Sequence, residues 1–174
     1  MGCSNLPING LANPCKGSRG GVTKVVIANY VEDYFTVTEA NQLSAKDGNI
    51  GEIFKKYYVR PESSGFEQTL TVDTPNGINY IDQNINLVFA RMETASRMEV
   101  AALTLNDTMV ACKTGNGNWF VFGYDAPVTC TAGTGSSGVA VGDGNKYSIT
   151  LTTRSDEWAY EASPELSEML NAIV

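Results

Sequence analysis

The chain has 174 residues, of which 43% are hydrophobic, so it is long enough to bury the core of one domain without a metal or disulfide staple. Its 19 acidic residues outnumber its 12 basic residues, and the resulting net charge of −7 argues against a protein built to grip phosphates. Histidine is absent, which excludes Ser–His and Cys–His catalysis and removes the commonest metal ligand.

The sequence divides into an N-terminal arm at residues 1–21, a β-rich domain at residues 22–162 and a C-terminal helix at residues 163–174. Repeated Gly and Pro predict that the arm holds no long regular element. The arm lacks the basic and apolar segments of a signal peptide, and no run in the sequence reaches the length of an apolar membrane span. We therefore expect a soluble protein with no membrane partner, made in a reducing cytoplasm.

Four segments follow the arm. Residues 22–30 are a β-branched run that predicts the first strand, and residues 34–38 predict the second. The polar stretch at residues 39–51 is predicted to be irregular. Residues 53–60 resume the sheet, and Lys55-Lys56 within them is typical of a sheet edge guarded by charge.

A long β-hairpin is predicted at residues 66–90. Residues 66–73 and 79–90 alternate apolar and polar side chains and meet at Pro75-Asn76-Gly77, where Asn-Gly supplies the positive φ of a tight turn. The apolar face carries Leu70, Val72, Ile81, Ile85, Leu87 and Phe89. The opposite face is rich in Thr, Asn and Gln, which suits a sheet wetted on one side or laid against copies of itself.

Two further hairpins and a last strand are predicted after residue 108. Residues 109–112 pair with residues 118–124 in one hairpin, and residues 139–141 pair with residues 146–152 in the other. Residues 157–161 are predicted to add the last strand.

Two helices are predicted, one internal and one at the C-terminus. The internal helix spans residues 92–103, which are good helix formers. The C-terminal helix begins with Ser163 as N-cap and Pro164 at the first helical position. The apolar residues at helical spacing are Ala95, Met98 and Ala102 in the first helix and Leu166, Met169, Leu170 and Ile173 in the second. Because so short a helix is marginal alone, we expect the second stripe to rest on the chain's own sheet or on a neighbouring copy.

The segment Gly133-Thr134-Gly135-Ser136-Ser137-Gly138 matches the dinucleotide-binding pattern G-x-G-x-x-G. That pattern receives a pyrophosphate only when its last glycine opens a helix, and here residues 139–144 read as a strand and a turn. We therefore predict a mobile Gly/Ser loop tip that joins two strands and orders against a partner.

Carboxylates are the remaining candidates for acid–base chemistry. Asp156 with Glu157, or Asp73 with Asp82, are possible pairs, but the sequence sets no distance between them. Asp143-Gly144-Asn145 places oxygen ligands in a tight loop without the spacing of an EF-hand, and a turn explains it. The sequence assigns no catalytic, cofactor-binding or metal-binding residue.

Cysteines and aromatic residues both read as packing elements. Cys112 and Cys130 lie in strand-like runs and read as free thiols, with a disulfide between them as the alternative. Alternation along the strand places Trp119 and Val121 on one face and Phe120, Phe122 and Tyr124 on the other. A core on one face and a covered second face account for this cluster without a ligand.

Three stretches of the sequence carry a family resemblance: the Gly-rich arm running into residues 20–27, the hairpin end at residues 87–92, and residues 116–124 leading to the loop at residues 133–138. Together they resemble the tail-tube or ring-type structural proteins of tailed bacteriophages, especially phages that infect gut Bacteroidetes, including the crAss-like group. The resemblance implies a mainly β fold, namely an antiparallel β-sandwich or barrel of the tail-tube type. It also implies long hairpins, one internal helix and a short C-terminal helix.

The resemblance also implies a function in the virion tail or neck. Identical subunits, commonly six, form a ring whose inner sheets join edge to edge around a channel. An acidic or neutral lining repels the phosphate backbone, so viral DNA passes without specific binding. The other partners are neighbouring tail, hub or connector proteins. The expected subunit contacts are Gly133, Gly135, Gly138, Asn76, Gly77, Leu166, Met169, Leu170 and Ile173.

Two other hypotheses remain open from the residues alone. One is a β-sandwich carbohydrate-binding or adhesin module that uses the aromatic residues at 119–124. Exposed aromatic side chains favour that module, whereas buried ones favour the ring. The other is an enzyme that uses carboxylates alone, which requires two acids to converge in a pocket.

Overall fold

The computed structural model describes residues 19–46, 48–60, 62–140 and 142–173. Of the described residues, 47% lie in strands and 16% in helices, so the protein is mainly β, and its sheets are antiparallel. The strands are β1 (Val22–Asn29), β2 (Phe35–Val37), β3 (Leu43–Ala45), β4 (Lys55–Tyr57), β5 (Gly65–Asp73), β6 (Ile78–Ala90), β7 (Thr108–Thr114), β8 (Trp119–Phe122), β9 (Thr129–Ser136), β10 (Lys146–Ser155) and β11 (Tyr160–Glu161). The helices are α1 (Ile50–Ile53), α2 (Thr94–Leu105) and α3 (Pro164–Ala172).

Two larger sheets and one small sheet organise these strands. The first sheet has five strands in the order β11-β8-β7-β1-β4, and the second has four in the order β5-β6-β10-β9. Strands β2 and β3 form a separate two-stranded sheet. The longest pairing joins β6 to β10, from Ala90 opposite Lys146 to Ile81 opposite Ser155.

One core lies between the two larger sheets, and we call it the inter-sheet core. Strand alternation directs apolar side chains of both sheets toward each other there. Its members include Val25, Ile27, Val110, Cys112 and Phe122 from the first sheet and Ile85, Leu87, Ile149 and Leu151 from the second. Helix α2 adds Leu103 to the same core.

A second core lies on the other face of the first sheet, and we call it the helix-side core. It joins alternate residues of β1, β7 and β8 to both short helices and to the small sheet. Its members include Val26, Met109, Trp119 and Val121 from the first sheet, Phe35 and Leu43 from the small sheet, and Ile50, Phe54, Leu166 and Leu170 from the helical segments. The first sheet is therefore covered on both faces.

The long hairpin forms as predicted. Strands β5 and β6 pair in register from Gly65 opposite Asn86 to Asp73 opposite Ile78. Its turn is longer than an Asn-Gly turn, because residues 74–77 all lie between the strands and the Gly77 N–H donates to the Thr74 carbonyl. The positive φ predicted for the Asn-Gly pair is confirmed at Gly77, where it is 67°, and Asn76 does not take one.

The other predicted hairpins are confirmed in one case and wrong in the other. Strands β7 and β8 pair as expected, with Lys113 opposite Trp119. The predicted pairing of residues 139–141 with residues 146–152 is wrong, because β9 pairs with β10 instead. The Gly/Ser segment that we predicted as a loop tip continues β9 through Ser136. Small Gly and Ser residues allow a strand where a partner strand supplies the hydrogen bonds.

Residues 39–60 also differ from the prediction. The stretch expected to be irregular contains β3 and the start of α1, and the predicted strand at 53–60 is reduced to β4. The Phe54 N–H donates to the Ile50 carbonyl at 2.8 Å, so these two residues lie one helical turn apart and both enter the helix-side core. The four-residue spacing of Ile50 and Phe54 is helical, but the segment is too short for the sequence to show a helical period.

The two predicted helices are present as α2 and α3. Ser163 caps α3 as expected, because its Oγ accepts a hydrogen bond from the Leu166 N–H at 3.3 Å. Leu166, Leu170 and Ile173 are buried in the helix-side core. Of the two expected resting places for this stripe, the chain's own fold is therefore confirmed.

Candidate assembly surface

The second sheet ends at two edge strands, β5 and β9, and these define the candidate assembly surface. Strand β9 carries no charged residue and no proline, and its residues are exposed except for the half-buried Cys130. Edge strands are usually guarded by lysine, proline or a covering element, because their unpaired backbone groups recruit other chains. Strand β4, which ends the first sheet, has that guard in Lys55-Lys56, as predicted. Strand β9 does not.

The outer face of the second sheet, opposite the inter-sheet core, is mostly polar and nearly neutral. Its uncharged polar residues are Thr69, Thr71, Asn84, Asn86, Thr134, Ser136, Ser148, Thr150 and Thr152, and Ile78, Tyr80, Val88, Ala90 and Ala132 lie on the same face. Its acids are Glu67, Asp73 and Asp82, and its bases are Lys146 and Arg154. Arg154 Nε donates to Asp82 Oδ1 at 2.9 Å, so two of these charges cancel locally. The face offers hydroxyl and amide groups and little net field.

The predicted contact glycines have roles within the chain. Gly133 and Gly135 lie on the core side of β9, and a Cβ on Gly135 would lie 3.0 Å from the Tyr147 ring and 3.2 Å from Met92 Cε. Gly138 has a φ of 72° at the end of the strand, and its Cβ would lie 2.7 Å from Asp143 Cβ. Close packing therefore explains Gly135, and backbone conformation together with close approach explains Gly138.

The hairpin turn that contains Asn76 and Gly77 is fixed by Asp73. The Asn76 backbone N–H and side-chain amide both donate to the Asp73 carboxylate, at 3.4 and 2.7 Å. Asn76 and Gly77 are exposed at this turn. They remain accessible to a second copy.

The helix α3 stripe is not accessible in the same way. Leu166, Leu170 and Ile173 are buried, and Trp119 Nε1 donates to Asn171 Oδ1 at 3.2 Å, which ties the helix to β8. Met169 is the exception at 39% exposed. Assigning Leu166, Leu170 and Ile173 to subunit contacts is therefore corrected: these side chains stabilise the monomer, and Met169 alone of the four faces outward.

The sequence analysis missed an exposed apolar stripe on α2. Met98 is 63% exposed and Leu105 is 85% exposed, whereas Leu103 and half-buried Val100 face the inter-sheet core. The helical spacing of Met98 was recognised, but its direction was not. Helical periodicity alone does not tell which of two apolar faces meets the core.

The carboxylates of the candidate Asp73–Asp82 pair are held in separate contacts. Asp82 binds Arg154, Asp73 holds the hairpin turn, and the Asp156 N–H donates to Asp125 Oδ2 at 3.2 Å. Asp143 caps a turn by accepting from the Ala140 and Val139 N–H groups at 2.8 and 2.9 Å, and these bonds lower its pKa. Within the described residues, no group of three or more Cys, Asp or Glu side chains is placed to hold a metal ion.

A cavity of about 420 Å³ lies between β4 and α2. Tyr57 lines it, and the Tyr57 hydroxyl donates to Glu99 Oε2 at 2.9 Å across the gap. Burial, strengthened by Glu99, raises the pKa of Tyr57, so this phenol stays protonated at physiological pH. The pair ties α2 to β4 rather than supplying a titrating group.

The thiols and aromatic residues mostly pack in the cores. Cys112 and Cys130 are free, as predicted, and burial raises the pKa of both. Cys3 and Cys15 lie outside the described residues. Trp119 and Phe122 are buried on opposite faces of β8, as alternation predicts. Tyr124 is an exception, since it packs with Tyr160 against the helix-side core after Gly123 takes a φ of 89° and breaks the alternation.

Among the described residues, each helix is too short or too polar to span a lipid bilayer. Comparison of the chain with protein-family models, with curated proteins and with solved structures found no match. The structure thus defines a mainly β protein built of antiparallel sheets.

Proposed function

We propose that the protein is a virion structural protein that forms a homo-oligomeric ring or tube in the tail or neck of a tailed phage. One observation carries the proposal. The second sheet ends at β9 in an exposed, uncharged edge strand, while its opposite edge strand β5 belongs to the long hairpin. An edge of this kind is stable in solution when another chain completes it.

In this proposal the two larger sheets form a sandwich of the tail-tube type, and β9 of one copy pairs with β5 of the next. Repeating that contact around an axis closes the second sheets into one barrel and removes both edges. The Thr- and Asn-rich outer face then lines the channel. This lining carries three acids and two bases, so it has no excess of positive charge to bind DNA phosphates, and the genome slides through without specific binding.

Particle state measured against concentration tests the proposal. We expect light scattering and negative-stain electron microscopy of the purified chain to show rings or stacked tubes with a central hole. Thr134→Lys gives β9 the kind of charge that guards β4 and should abolish assembly without unfolding the monomer. Ser137→Lys is the matched control, because Ser137 is exposed just beyond the strand. A chain that stays monomeric at high concentration contradicts the proposal.

The same proposal names the chain's surroundings. The neighbours along the axis are other tail, hub or connector proteins, and the site of action is the virion after synthesis in the bacterial cytoplasm. Reconstitution with purified tail components tests this part, and we expect co-sedimentation of the assembled rings with a neighbouring component.

A carbohydrate-binding or adhesin module is the second candidate, and it rests on a different aromatic residue from those expected. The aromatic residues of β8 are largely in the cores, but Trp158 is 52% exposed. It lines a depression of about 270 Å³ together with Asn41, Glu157 and Glu161. An exposed indole beside carboxylate and amide groups suits a sugar ring. Glycan-array binding that Trp158→Ala abolishes would favour this candidate over the ring.

A further inference from the structure

We propose that the tip of the β5–β6 hairpin of one copy docks on the outer face of α2 of a second copy, in a head-to-tail contact. The tip patch consists of Leu70, Val72 and Ile78. The α2 stripe consists of Met98, Ala101 and Leu105. This inference rests on the self-association in the proposed function, and it adds a contact between two different surfaces that edge pairing does not provide.

The α2 stripe points away from the molecule. At 100° per residue, Met98, Ala101 and Leu105 fall on one side of the helix, while Val100 and Leu103 fall on the other and meet the inter-sheet core. All three stripe residues are exposed. A surface helix normally turns its apolar stripe inward, so an apolar stripe in solvent marks a contact surface.

The tip patch is likewise apolar and exposed. Leu70, Val72 and Ile78 are 48%, 56% and 52% exposed. Leu70 and Val72 lie on one face of the hairpin and Ile78 on the other. Because Asp73 accepts two hydrogen bonds from Asn76, the turn is held in place before any partner arrives. A preformed tip loses little conformational entropy on docking.

A single copy cannot join its own two patches. Val72 pairs with Asn79, whereas Phe89, ten residues further along β6, contacts Tyr57 beneath α2. Ten strand residues span roughly 33 Å. The contact must therefore form between copies. Because its two halves are different surfaces, the contact can repeat head to tail from copy to copy.

Charge agrees with this pairing. Asp73 lies at the hairpin turn, and Arg97 is exposed on α2 beside the stripe. When the tip docks, opposite charges at the rim of the apolar contact favour this orientation over tip-to-tip or helix-to-helix contacts. A second copy of the chain therefore presents a complementary surface to each patch.

Disulfide trapping between two variants that each carry one exposed cysteine tests the contact. The background carries Cys3→Ser, Cys15→Ser and Cys130→Ser and keeps the buried Cys112. One variant adds Val72→Cys and the other adds Met98→Cys. They are mixed as folded full-length chains and oxidised mildly with diamide. We expect the mixed dimer to exceed, by about tenfold, that of a control mixture with Ser137→Cys in place of Val72→Cys, because docking raises the local thiol concentration.

Three results would overturn the inference. The first is a mixed dimer that is no more abundant than in the control mixture. The second is a Val72→Cys homodimer that forms as efficiently as the mixed dimer, and the third is a Met98→Cys homodimer that does so. Electron microscopy of the same samples separates this inference from the proposed function. Rings without trapping refute the tip contact alone, whereas trapping in open filaments without a central hole refutes the ring alone.

Discussion

Replacing Leu170 with alanine is expected to destabilise the monomer strongly, whereas the same change at Met169 is not. Leu170 is 2% exposed and packs in the helix-side core with Trp119, while the neighbouring Met169 is 39% exposed. Truncating a fully buried leucine costs about 2–5 kcal/mol, because the lost transfer energy and the remaining cavity add together. Alanine is the best helix former, so neither change harms α3 itself.

Urea unfolding followed by tryptophan fluorescence measures the difference. Trp119 is buried beside α3, so its emission reports the loss of this core. We expect Leu170→Ala to lower the free energy of unfolding by about 3 kcal/mol and the melting temperature by roughly 6–12 °C for a chain of this size. Met169→Ala should lower the free energy of unfolding by less than about 1 kcal/mol.

The comparison also decides where the α3 stripe belongs. If Leu170→Ala left the free energy of unfolding within about 0.5 kcal/mol of the parent but abolished assembly, the stripe would be an interface and the packing argument would be refuted. The measurement should be made at dilute concentration, where the monomer dominates, since assembly adds apparent stability.

Three further predictions concern the β9 region and the outer face. Gly135→Ala should destabilise the fold because the new Cβ meets the Tyr147 ring and Met92, whereas Gly142→Ala, with nothing within 4 Å, should not; thermal melts of both variants check this. Hydrogen bonds from Ala140 and Val139 lower the pKa of Asp143. Its contribution to turn stability is therefore fully present above the ordinary pKa of an aspartate and is lost as the pH falls through the lower folded-state pKa. We expect the amide protons of this turn to lose protection from exchange at low pH. In Asp143→Ala, the protection of the same amides should not depend on pH. Finally, filter binding at about 0.15 M salt should show duplex DNA affinity weaker than the roughly 10⁻⁴ M of ordinary non-specific binders, and tighter binding would contradict a sliding channel.

The sequence predicted best where one physical rule dominates a long segment. The β5–β6 hairpin alternates over many residues and has a glycine at its turn, so its register follows from the pattern. The start of α3 was predicted equally well, because Ser163 as N-cap and Pro164 at the first helical position depend only on neighbouring residues. No distant contact had to be known in either case.

Prediction failed where a distant contact determines the local structure. Gly133 and Gly135 look like a flexible loop, but residues 146–152 of β10 provide a partner strand that keeps them extended. The sequence around Phe54 predicts a strand. In the structure, Phe54 and Ile50 lie one helical turn apart and both pack in the helix-side core. Tyr124 leaves the predicted face because Gly123 packs against the Met109 backbone and needs a positive φ. Each of these outcomes depends on a neighbour that the local sequence does not reveal.

The sequences of the two edge strands β4 and β9 differ in charge, and this difference identifies the candidate assembly surface. Lys55-Lys56 lies on β4, and that edge also adjoins α2 through Tyr57 and Glu99. Strand β9 has neither charge nor proline, although it is longer than β4 and exposed. If β9 were merely a tolerated solvent edge, a single lysine would protect it at little cost, since surface substitutions usually change stability by only about 0.5 kcal/mol. An edge strand without charge or proline is therefore best explained by a partner strand, and Thr134→Lys should be neutral for folding and costly for assembly.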